Sequence, residues 1–287
     1  MDIANVNGVQ LEYETTGSGE PVLLISPMVA GAFRLFMSAK PLVKRYRLIR
    51  YHRRGWCGST HTTPPVSIAD HAADAAALLG ELGISRAHIA GHSSGGAIAL
   101  QLALDYPDRV HTLALLEPSL LTVPSAQSLF AKAGPAMEAY GVGDHESAVE
   151  GFLSVVSGLD RATCRDVIDE HVAGGVAQAI KDAHTIFGIE LPALSAWKFG
   201  AEEAAAIDQP ILSVRGTDTE PLWVDVAELL HAWFPQVEDL TVAGVGHLLQ
   251  MQNPEPVARG VAEFFGRHAI NGTESISPVN ARATSWT

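Results

Sequence analysis

Apolar residues along the chain fall into short runs separated by longer segments of mixed character. Most of these runs contain few polar positions, which is typical of strands buried on both faces of a sheet. The predicted strands are residues 9–15, 21–26, 46–51, 87–90, 110–116, 210–215 and 237–242. Predicted helices lie among them at residues 34–44, 68–82, 97–104, 224–233 and 256–268. This alternation predicts an α/β fold with a mostly parallel central sheet flanked by helices.

One long segment interrupts the alternation. Residues 119–206 contain helical stretches and no convincing buried strand, and the strand pattern resumes at residue 210. We therefore predict a helical cap at residues 119–206, inserted into a core formed by residues 1–118 and 207–268. Residues 269–287 are rich in Ser, Thr and Asn, and we predict a disordered tail there.

Charge and composition indicate which kinds of molecule the protein binds. The 287 residues suffice for one α/β domain with an inserted subdomain. A formal net charge of -13 argues against nucleic acid or an anionic membrane as partner, because both would be repelled. No run reaches the roughly 18 apolar residues needed to span a bilayer, and the start of the chain does not resemble a secretory signal. We expect a cytoplasmic protein that takes a neutral or weakly polar small molecule.

The most informative motif is residues 91–95 (GHSSG), which match the pattern G-x-S-x-G between a predicted strand and a predicted helix. In that context the turn strains the serine and pushes its hydroxyl clear of the backbone, so Ser93 is the predicted nucleophile. A side chain at either glycine would collide with the neighbouring strand or helix. The helix N-terminus behind Ser93 favours an oxyanion, and the Ser94 N–H is a natural donor to it. The alternative is a glycine-rich turn with two incidental serines.

A serine nucleophile needs a general base, and His247 is the predicted one. Residues 242–247 (VAGVGH) place it on a glycine-rich loop after the last predicted strand. The chain has 12 histidines, but His247 lies where the order Ser, acid, His requires the base. His92 is adjacent to Ser93 and is predicted to point away from it.

With these motifs the chain resembles the α/β-hydrolase family over roughly residues 8–268. The segments that carry the resemblance are GHSSGG, RRGWCGS and VGHLLQMQNP. It implies a serine hydrolase that needs no cofactor and no metal, and the sequence also lacks an HExxH run. The family's loop after the first buried strand corresponds too, although Ser26-Pro27 replaces the usual His-Gly. A second oxyanion donor is implied from this loop, the N–H of Met28 or Val29, because proline has no N–H.

The acid of the triad has two candidates. The family's usual place is the loop after residues 210–215, where Asp218 lies in RGTDT. The family pattern there is G-x-x-D, which puts Thr219 rather than Asp218 at the acid position. The other candidate is Glu117, at the end of a strand and 24 residues after Ser93. A branch resembling zearalenone lactonases takes its acid from that strand end as glutamate, so both candidates stay open.

The predicted reaction is acyl transfer through an acyl-enzyme on Ser93. An apolar cap with few charges favours a hydrophobic ester or lactone over a sugar ester or a phosphate, and the resemblance implies a macrocyclic or aryl lactone. Apolar cap residues more often form a core of their own than line a pocket. With that alternative open, the predicted substrate-binding residues are Leu191, Trp197, Phe199 and Trp223.

Other functions remain compatible with the sequence. A carbon–carbon bond hydrolase acting on a vinylogous diketone, or a perhydrolase, would use the same triad. A non-catalytic member of the fold would bind a ligand in the same pocket. Haloalkane dehalogenases and epoxide hydrolases are disfavoured, because they have aspartate where this chain has Ser93. Both a monomer and a homodimer fit the sequence.

Overall fold

A computed structural model describes residues 1–270, so the predicted tail lies outside the described residues except for its first two positions. Within these residues one sheet of eight strands forms the centre of the molecule. The strands are β1 (Asp2–Val6), β2 (Val9–Thr16), β3 (Glu20–Ile25), β4 (Tyr46–Tyr51), β5 (Ala87–His92), β6 (Val110–Leu116), β7 (Ile211–Gly216) and β8 (Glu238–Val242).

Helices follow or precede most of these strands along the chain. The α-helices are α1 (Lys40–Val43), α2 (Ile68–Glu81), α3 (Ser94–Asp105), α4 (Ala126–Gly141), α5 (His145–Ser157), α6 (Arg161–His171), α7 (Gly175–Lys181), α8 (Leu191–Ala196), α9 (Ala201–Ala204), α10 (Pro221–Trp233), α11 (Leu249–Gln252) and α12 (Pro254–Arg267). Short 3₁₀ helices span Phe36–Ser38 and Pro107–Arg109, and a π-helix spans Thr185–Glu190. None of the helices in residues 1–270 is long and apolar enough to cross a bilayer.

The order of the strands across the sheet is β1-β2-β4-β3-β5-β6-β7-β8. The strands from β4 to β8 in this order pair in parallel, whereas β1 and β2 are antiparallel to their neighbours. The prediction of a mostly parallel sheet flanked by helices is confirmed. Because His92 of β5 pairs with Leu116 of β6, the residues that follow these two strands emerge side by side at the same edge of the sheet.

Two apolar clusters cover the two faces of the sheet. One contains buried side chains of α2, α3 and α10 together with those of the helices between β6 and β7. The other contains α1 and α12. Helices α4 to α9 and the π-helix therefore pack against one face of the core, and we use the name cap for the segment of residues 119–206 that contains them.

Two predicted helices differ from the structure, and one strand of the structure was not predicted. The helix predicted at residues 34–44 is broken at Ala39, whose backbone is extended, because Pro41 has no N–H to continue a helix from the preceding turn. Helix α3 begins at Ser94, three residues earlier than predicted. Strand β1 was not predicted, because its buried side chains are Ala4 and Val6 while the more apolar Ile3 is 46% exposed.

Candidate active site

The backbone at Ser93 forms a sharp turn between β5 and α3. Ser93 has φ 54° and ψ −119°, a left-handed conformation that is costly for a residue with a side chain. The turn is held by hydrogen bonds on both sides, because the Ser93 N–H donates to the Leu116 carbonyl at 3.0 Å and the Ser93 carbonyl accepts from the Ser119 N–H at 2.9 Å. The strain predicted for this serine from its motif is therefore present.

The glycines around Ser93 occupy positions where a side chain has no room. A Cβ on Gly91 would lie 2.4 Å from the Gly95 carbonyl oxygen, and one on Gly95 would lie 2.1 Å from that of Ile25. A Cβ on Gly96 would lie 2.6 Å from the Pro118 side chain. These contacts involve backbone or a rigid ring, so the collision that the sequence predicted at both glycines of the motif is confirmed.

His247 and Glu117 form a buried hydrogen-bonded pair. His247 Nδ1 lies 2.7 Å from Glu117 Oε2, and both residues are 2% exposed. Two further donors hold the Glu117 carboxylate, the Gly216 N–H to Oε1 at 3.0 Å and the Thr219 hydroxyl to Oε2 at 3.0 Å. This arrangement fixes the orientation of the imidazole ring and gives each carboxylate oxygen a partner.

Asp218, the other candidate for the acid, does not pair with His247. Its side chain is exposed and accepts a hydrogen bond from the neighbouring Thr217 hydroxyl at 2.7 Å, while its N–H donates to the Val245 carbonyl. The next residue, Thr219, stands at the family's usual acid position and donates to Glu117 instead. The structure therefore brings Glu117 to His247 and leaves Asp218 facing solvent.

Burial controls the protonation of this pair. Loss of hydration raises the pKa of Glu117 above its usual range, although the Gly216 N–H and the Thr219 hydroxyl favour the carboxylate. Burial also lowers the pKa of His247 to about 3. His247 is therefore neutral at neutral pH, the form in which an imidazole accepts a proton.

The raised pKa of Glu117 predicts a stability effect that depends on pH. Glu117 binds its proton more tightly in the folded chain than at its ordinary pKa of 4.5, so the stabilisation is complete below 4.5 and is lost as pH rises through the raised pKa. Glu117→Gln cannot ionise. Its unfolding free energy relative to wild type should therefore increase as pH rises from 5 to 8.5, measured by urea unfolding. A difference from wild type that stays flat across this range would contradict the raised pKa of Glu117.

Trp223 of α10 stacks on His247. The two ring centroids are 3.8 Å apart and the ring planes differ by 3°. The indole N–H donates to the Val156 carbonyl of α5 at 3.2 Å, and Trp223 is 2% exposed. The indole is thus fixed to the cap on one side and restrains the imidazole ring on the other.

This stack predicts that an aromatic ring at position 223 is needed for catalysis. Trp223→Leu should lower kcat about tenfold, because the π-face that stabilises a developing imidazolium is lost. Trp223→Phe keeps a ring against His247 and loses only the hydrogen bond to Val156, so its kcat should fall about threefold or less. Steady-state kinetics on an ester checks both variants. Equal losses for the two would mean that the ring does not act through His247.

Ser93 and His247 open into the same cavity, which encloses about 600 Å³ including its mouth. Pro27, Met28 and Val29 form the wall beside Ser93. The remaining lining residues come mainly from the cap and α10 and are largely apolar: His92, Ser119, Leu121, Leu129, Phe130, Phe152, Leu153, Val156, Leu191, Leu194, Leu222, Trp223 and Leu248. Among the described residues, the lining contains no Lys, Arg, Asp or Glu.

The four predicted substrate-binding residues divide into two pairs. Leu191 and Trp223 line the cavity that contains Ser93. Trp197 and Phe199 stack on each other with centroids 5.0 Å apart and line a neighbouring depression. Trp197 is held there because its indole N–H donates to Gln101 of α3 at 2.6 Å. The structure places these two rings away from the described lining of the cavity.

The predicted oxyanion donors lie on both sides of the nucleophile. Met28 and Val29 belong to the loop after β3, and Ser94 is the first residue of α3. Both loops meet at Gly95, where the close approach to the Ile25 carbonyl brings the start of α3 against the end of β3. The choice between the Met28 and Val29 N–H stays a prediction from the sequence.

The sequence did not predict that Ser119 and His92 contribute to the site around Ser93. Ser119 Oγ lies 3.2 Å from Ser93 Oγ, and no motif marks it, although it follows Glu117 by two residues. His92, which was predicted to point away from Ser93, contributes to the cavity wall, and its ring lies 4.7 Å from that of His247. Gln250 donates to His92 Nδ1 at 2.8 Å, which holds the buried ring in place.

Comparisons with known proteins agree with this architecture. The chain is 27% identical over 273 residues to "Putative carbamate hydrolase RutD" of Caulobacter segnis, covering 92% of this chain and 99% of that protein. The structure of Est816, titled as an N-acyl homoserine lactone degrading enzyme, has a TM-score of 0.65 at 25% identity and covers 90% of this chain and 99% of its own. The structure of the meta-cleavage product hydrolase CumD from Pseudomonas fluorescens IP01 has a TM-score of 0.71 at 21% identity. The match covers 93% of this chain and 98% of CumD. A model of the alpha/beta hydrolase fold matches residues 21–254, and the chain belongs to this family of hydrolases.

Proposed function

We propose that the protein is a serine hydrolase that cleaves a hydrophobic carboxylic ester or lactone through an acyl-enzyme on Ser93. One observation carries the proposal: the 2.7 Å contact between His247 Nδ1 and Glu117 Oε2, in a site where His247 and the strained Ser93 face the same cavity. A pure binding pocket has no need of a nucleophile, a neutral base and a buried acid together.

The acylation step uses these three side chains in order. His247 removes the proton of the Ser93 hydroxyl as Oγ forms a bond to the carbonyl carbon of the substrate. Glu117 holds the ring tautomer and stabilises the imidazolium. The oxyanion is held by the Ser94 N–H and by an N–H of Met28 or Val29. The carbon–oxygen bond to the alcohol then breaks, and the alcohol leaves with the proton from His247.

Deacylation repeats the sequence with water. His247 takes a proton from a water molecule that attacks the acyl carbon, and returns it to Ser93 Oγ as the acid is released. When the substrate is a lactone, the alcohol and the acid are the two ends of one hydroxy-acid product.

The Ser93 hydroxyl has a resting position beside Ser119. It contacts Ser119 Oγ at 3.2 Å, and we propose that rotation about χ1 brings Ser93 Oγ from this position to His247. Catalytic hydrogen bonds of this kind tighten when substrate binds. Ser119 thus offers the Ser93 hydroxyl a resting partner in the otherwise apolar cavity.

The lining of the cavity supports a neutral, hydrophobic substrate. A carboxylate or phosphate would lose its hydration there without meeting an Arg or Lys among the described lining residues. Apolar side chains from the cap and α10 would instead cover an acyl chain or an aryl ring. The likeness to a protein titled as an N-acyl homoserine lactone degrading enzyme supports lactones as a class to include.

A substrate panel tests the proposal. It contains p-nitrophenyl esters of two to eight carbons, an aryl lactone, a macrocyclic lactone, a neutral carbamate and a vinylogous diketone, each with wild type and Ser93→Ala. We expect turnover of esters and lactones, with kcat/KM rising with acyl length, and labelling of Ser93 by a fluorophosphonate. If Ser93 is labelled but no ester or lactone is hydrolysed, the proposed substrate class is wrong. If Ser93 is not labelled and no substrate is turned over, the proposal that the protein is a serine hydrolase is wrong.

A further inference from the structure

A buried ion pair joins the cap to the loop that carries Met28. Arg53 follows β4, and Glu190 is the last residue of the π-helix in the cap. Arg53 is 3% exposed and Glu190 is 1% exposed. Arg53 Nε donates to Glu190 Oε1 at 2.9 Å, and Arg53 Nη2 donates to the same oxygen. The pair is thus sealed from water between cap and core.

The rest of the Arg53 guanidinium contacts the oxyanion loop. Arg53 Nη1 donates to the Ser26 carbonyl through a short hydrogen bond, and Nη2 lies 3.4 Å from the Pro27 carbonyl. These carbonyls belong to two consecutive peptide units. The Pro27 carbonyl shares its planar peptide with the Met28 N–H, and in a trans peptide the two point in opposite directions. A donor that holds the Pro27 oxygen on the Arg53 side therefore turns the Met28 N–H to the other side.

Glu190 extends the same network to the nucleophile turn. Its Oε2 accepts from the Ser94 hydroxyl at 3.2 Å, and its Oε1 accepts from the Trp56 indole N–H at 2.6 Å. Ser94 is the residue that supplies the other oxyanion donor. One cap carboxylate is thus connected to both loops that would form the oxyanion hole, directly at Ser94 and through Arg53 at Ser26 and Pro27.

We infer that Arg53 is a positioning residue that orients the Met28 N–H towards the oxyanion, and that Glu190 holds Arg53 in place only while the cap is docked. The inference rests on the proposed function and deepens it, because it selects Met28 over Val29 as the second donor. It also makes stabilisation of the oxyanion depend on Glu190, a cap residue that does not contact the substrate.

The neighbouring residue supplies a matched control. Arg54 forms an ion pair with Asp74 of α2 through two hydrogen bonds of 2.7 Å each. The Arg54 side chain is 14% exposed and Asp74 is buried, so loss of this pair also removes a shielded guanidinium–carboxylate contact. The hydrogen bonds of Arg54 lie on the α2 side of the core rather than on the oxyanion loop. A general cost of losing an ion pair should therefore appear in both arginine variants.

The test compares Arg53→Met with Arg54→Met, after circular dichroism confirms folding. On a p-nitrophenyl ester, Arg53→Met should lower kcat about 100-fold with KM changed less than threefold, the effect of losing one oxyanion donor. An aryl trifluoromethyl ketone probes the same step, since Ser93 adds to its carbonyl carbon, the proton passes to His247 and the oxyanion remains. Its inhibition constant should rise in proportion to the loss in kcat. Arg54→Met should change both quantities less than threefold.

Hydrogen exchange separates this inference from the proposed function. Amides of residues 26–32 should exchange faster in Arg53→Met and in Glu190→Gln than in Arg54→Met, whatever the substrate is. If Arg53→Met does not fold, Arg53→Lys and Glu190→Gln carry the same comparison. Unchanged exchange, or a fall in kcat without weaker binding of the ketone, would overturn the positioning role. A wild type that hydrolyses no ester or lactone, with faster exchange in Arg53→Met, would overturn the proposed function and leave the loop contact standing.

Discussion

Replacing Ser93 with alanine is expected to lower kcat for a p-nitrophenyl ester by about 10⁶-fold, the order found when a serine nucleophile is removed from a triad. The reason is chemical, since Ser93 carries the hydroxyl at the strained position, whereas the neighbouring Ser94 hydroxyl donates to Glu190. KM should change little, because the apolar wall that contacts the substrate is intact. Steady-state kinetics with an active-site titration of the wild type provides the measurement.

Ser119→Ala is the matched control for this loss. It removes a hydroxyl from the same cavity, 3.2 Å from the nucleophile, and should lower kcat less than about tenfold, because only one hydrogen bond between neutral hydroxyls is lost. Thermal unfolding of both variants should confirm that each is folded. If Ser93→Ala keeps more than about a tenth of the wild-type kcat, then Ser93 is not the nucleophile.

The second large effect is expected at the acid. Glu117→Gln should lower kcat about 10³- to 10⁴-fold, because an amide neither stabilises the imidazolium nor holds the ring in the correct tautomer. Asp218→Asn should stay within about twofold of wild type, since its side chain is exposed and accepts its hydrogen bond from Thr217 rather than from His247. The two substitutions each replace one carboxylate by its amide, so each controls for the chemistry of the other.

The reverse result has a definite meaning. A collapse of kcat in Asp218→Asn with Glu117→Gln fully active would require the loop after β7 to rearrange and carry Asp218 to His247. Thr219→Val gives an intermediate check, because it removes one of the three hydrogen bonds to the Glu117 carboxylate and leaves Asp218 in place. We expect it to lower kcat by about three- to tenfold.

The places of Ser93 and His247 in one site were predictable because their sequence signals are local. Residues 91–95 carry both the chemistry and the turn that presents it, and the observed left-handed backbone at Ser93 follows from the same five residues. His247 was identified by its place in the chain order. The strands were found because buried parallel strands are nearly continuous apolar runs.

The sequence did not decide between Glu117 and Asp218 as the acid, because the position of each relative to His247 depends on how the strands pair across the sheet. Glu117 reaches His247 because β6, β7 and β8 end side by side and the Gly216 N–H of β7 donates to the carboxylate. The sequence did contain one signal, the threonine at position 219 where the family pattern has aspartate. The structure gives that threonine a role, as a donor to Glu117.

The cap was the least predictable region. Periodicity marks which cap residues are apolar but not which face turns towards Ser93, so Leu191 lines the cavity while Trp197 is bound to Gln101. The Arg53–Glu190 pair joins residues 137 positions apart, and no local pattern marks such a contact. The pair can be identified only from the structure, in which the cap packs against the core.

Direct detection of the acyl-enzyme tests the central claim. Wild type is mixed with an excess of p-nitrophenyl ester, quenched in acid within milliseconds to seconds, and weighed intact before the digested peptides are sequenced by mass spectrometry. The account predicts a mass increase of one acyl group, located on Ser93 and absent from Ser93→Ala. Ester turnover with no adduct at any quench time, or with an adduct on another residue that persists in Ser93→Ala, would contradict it.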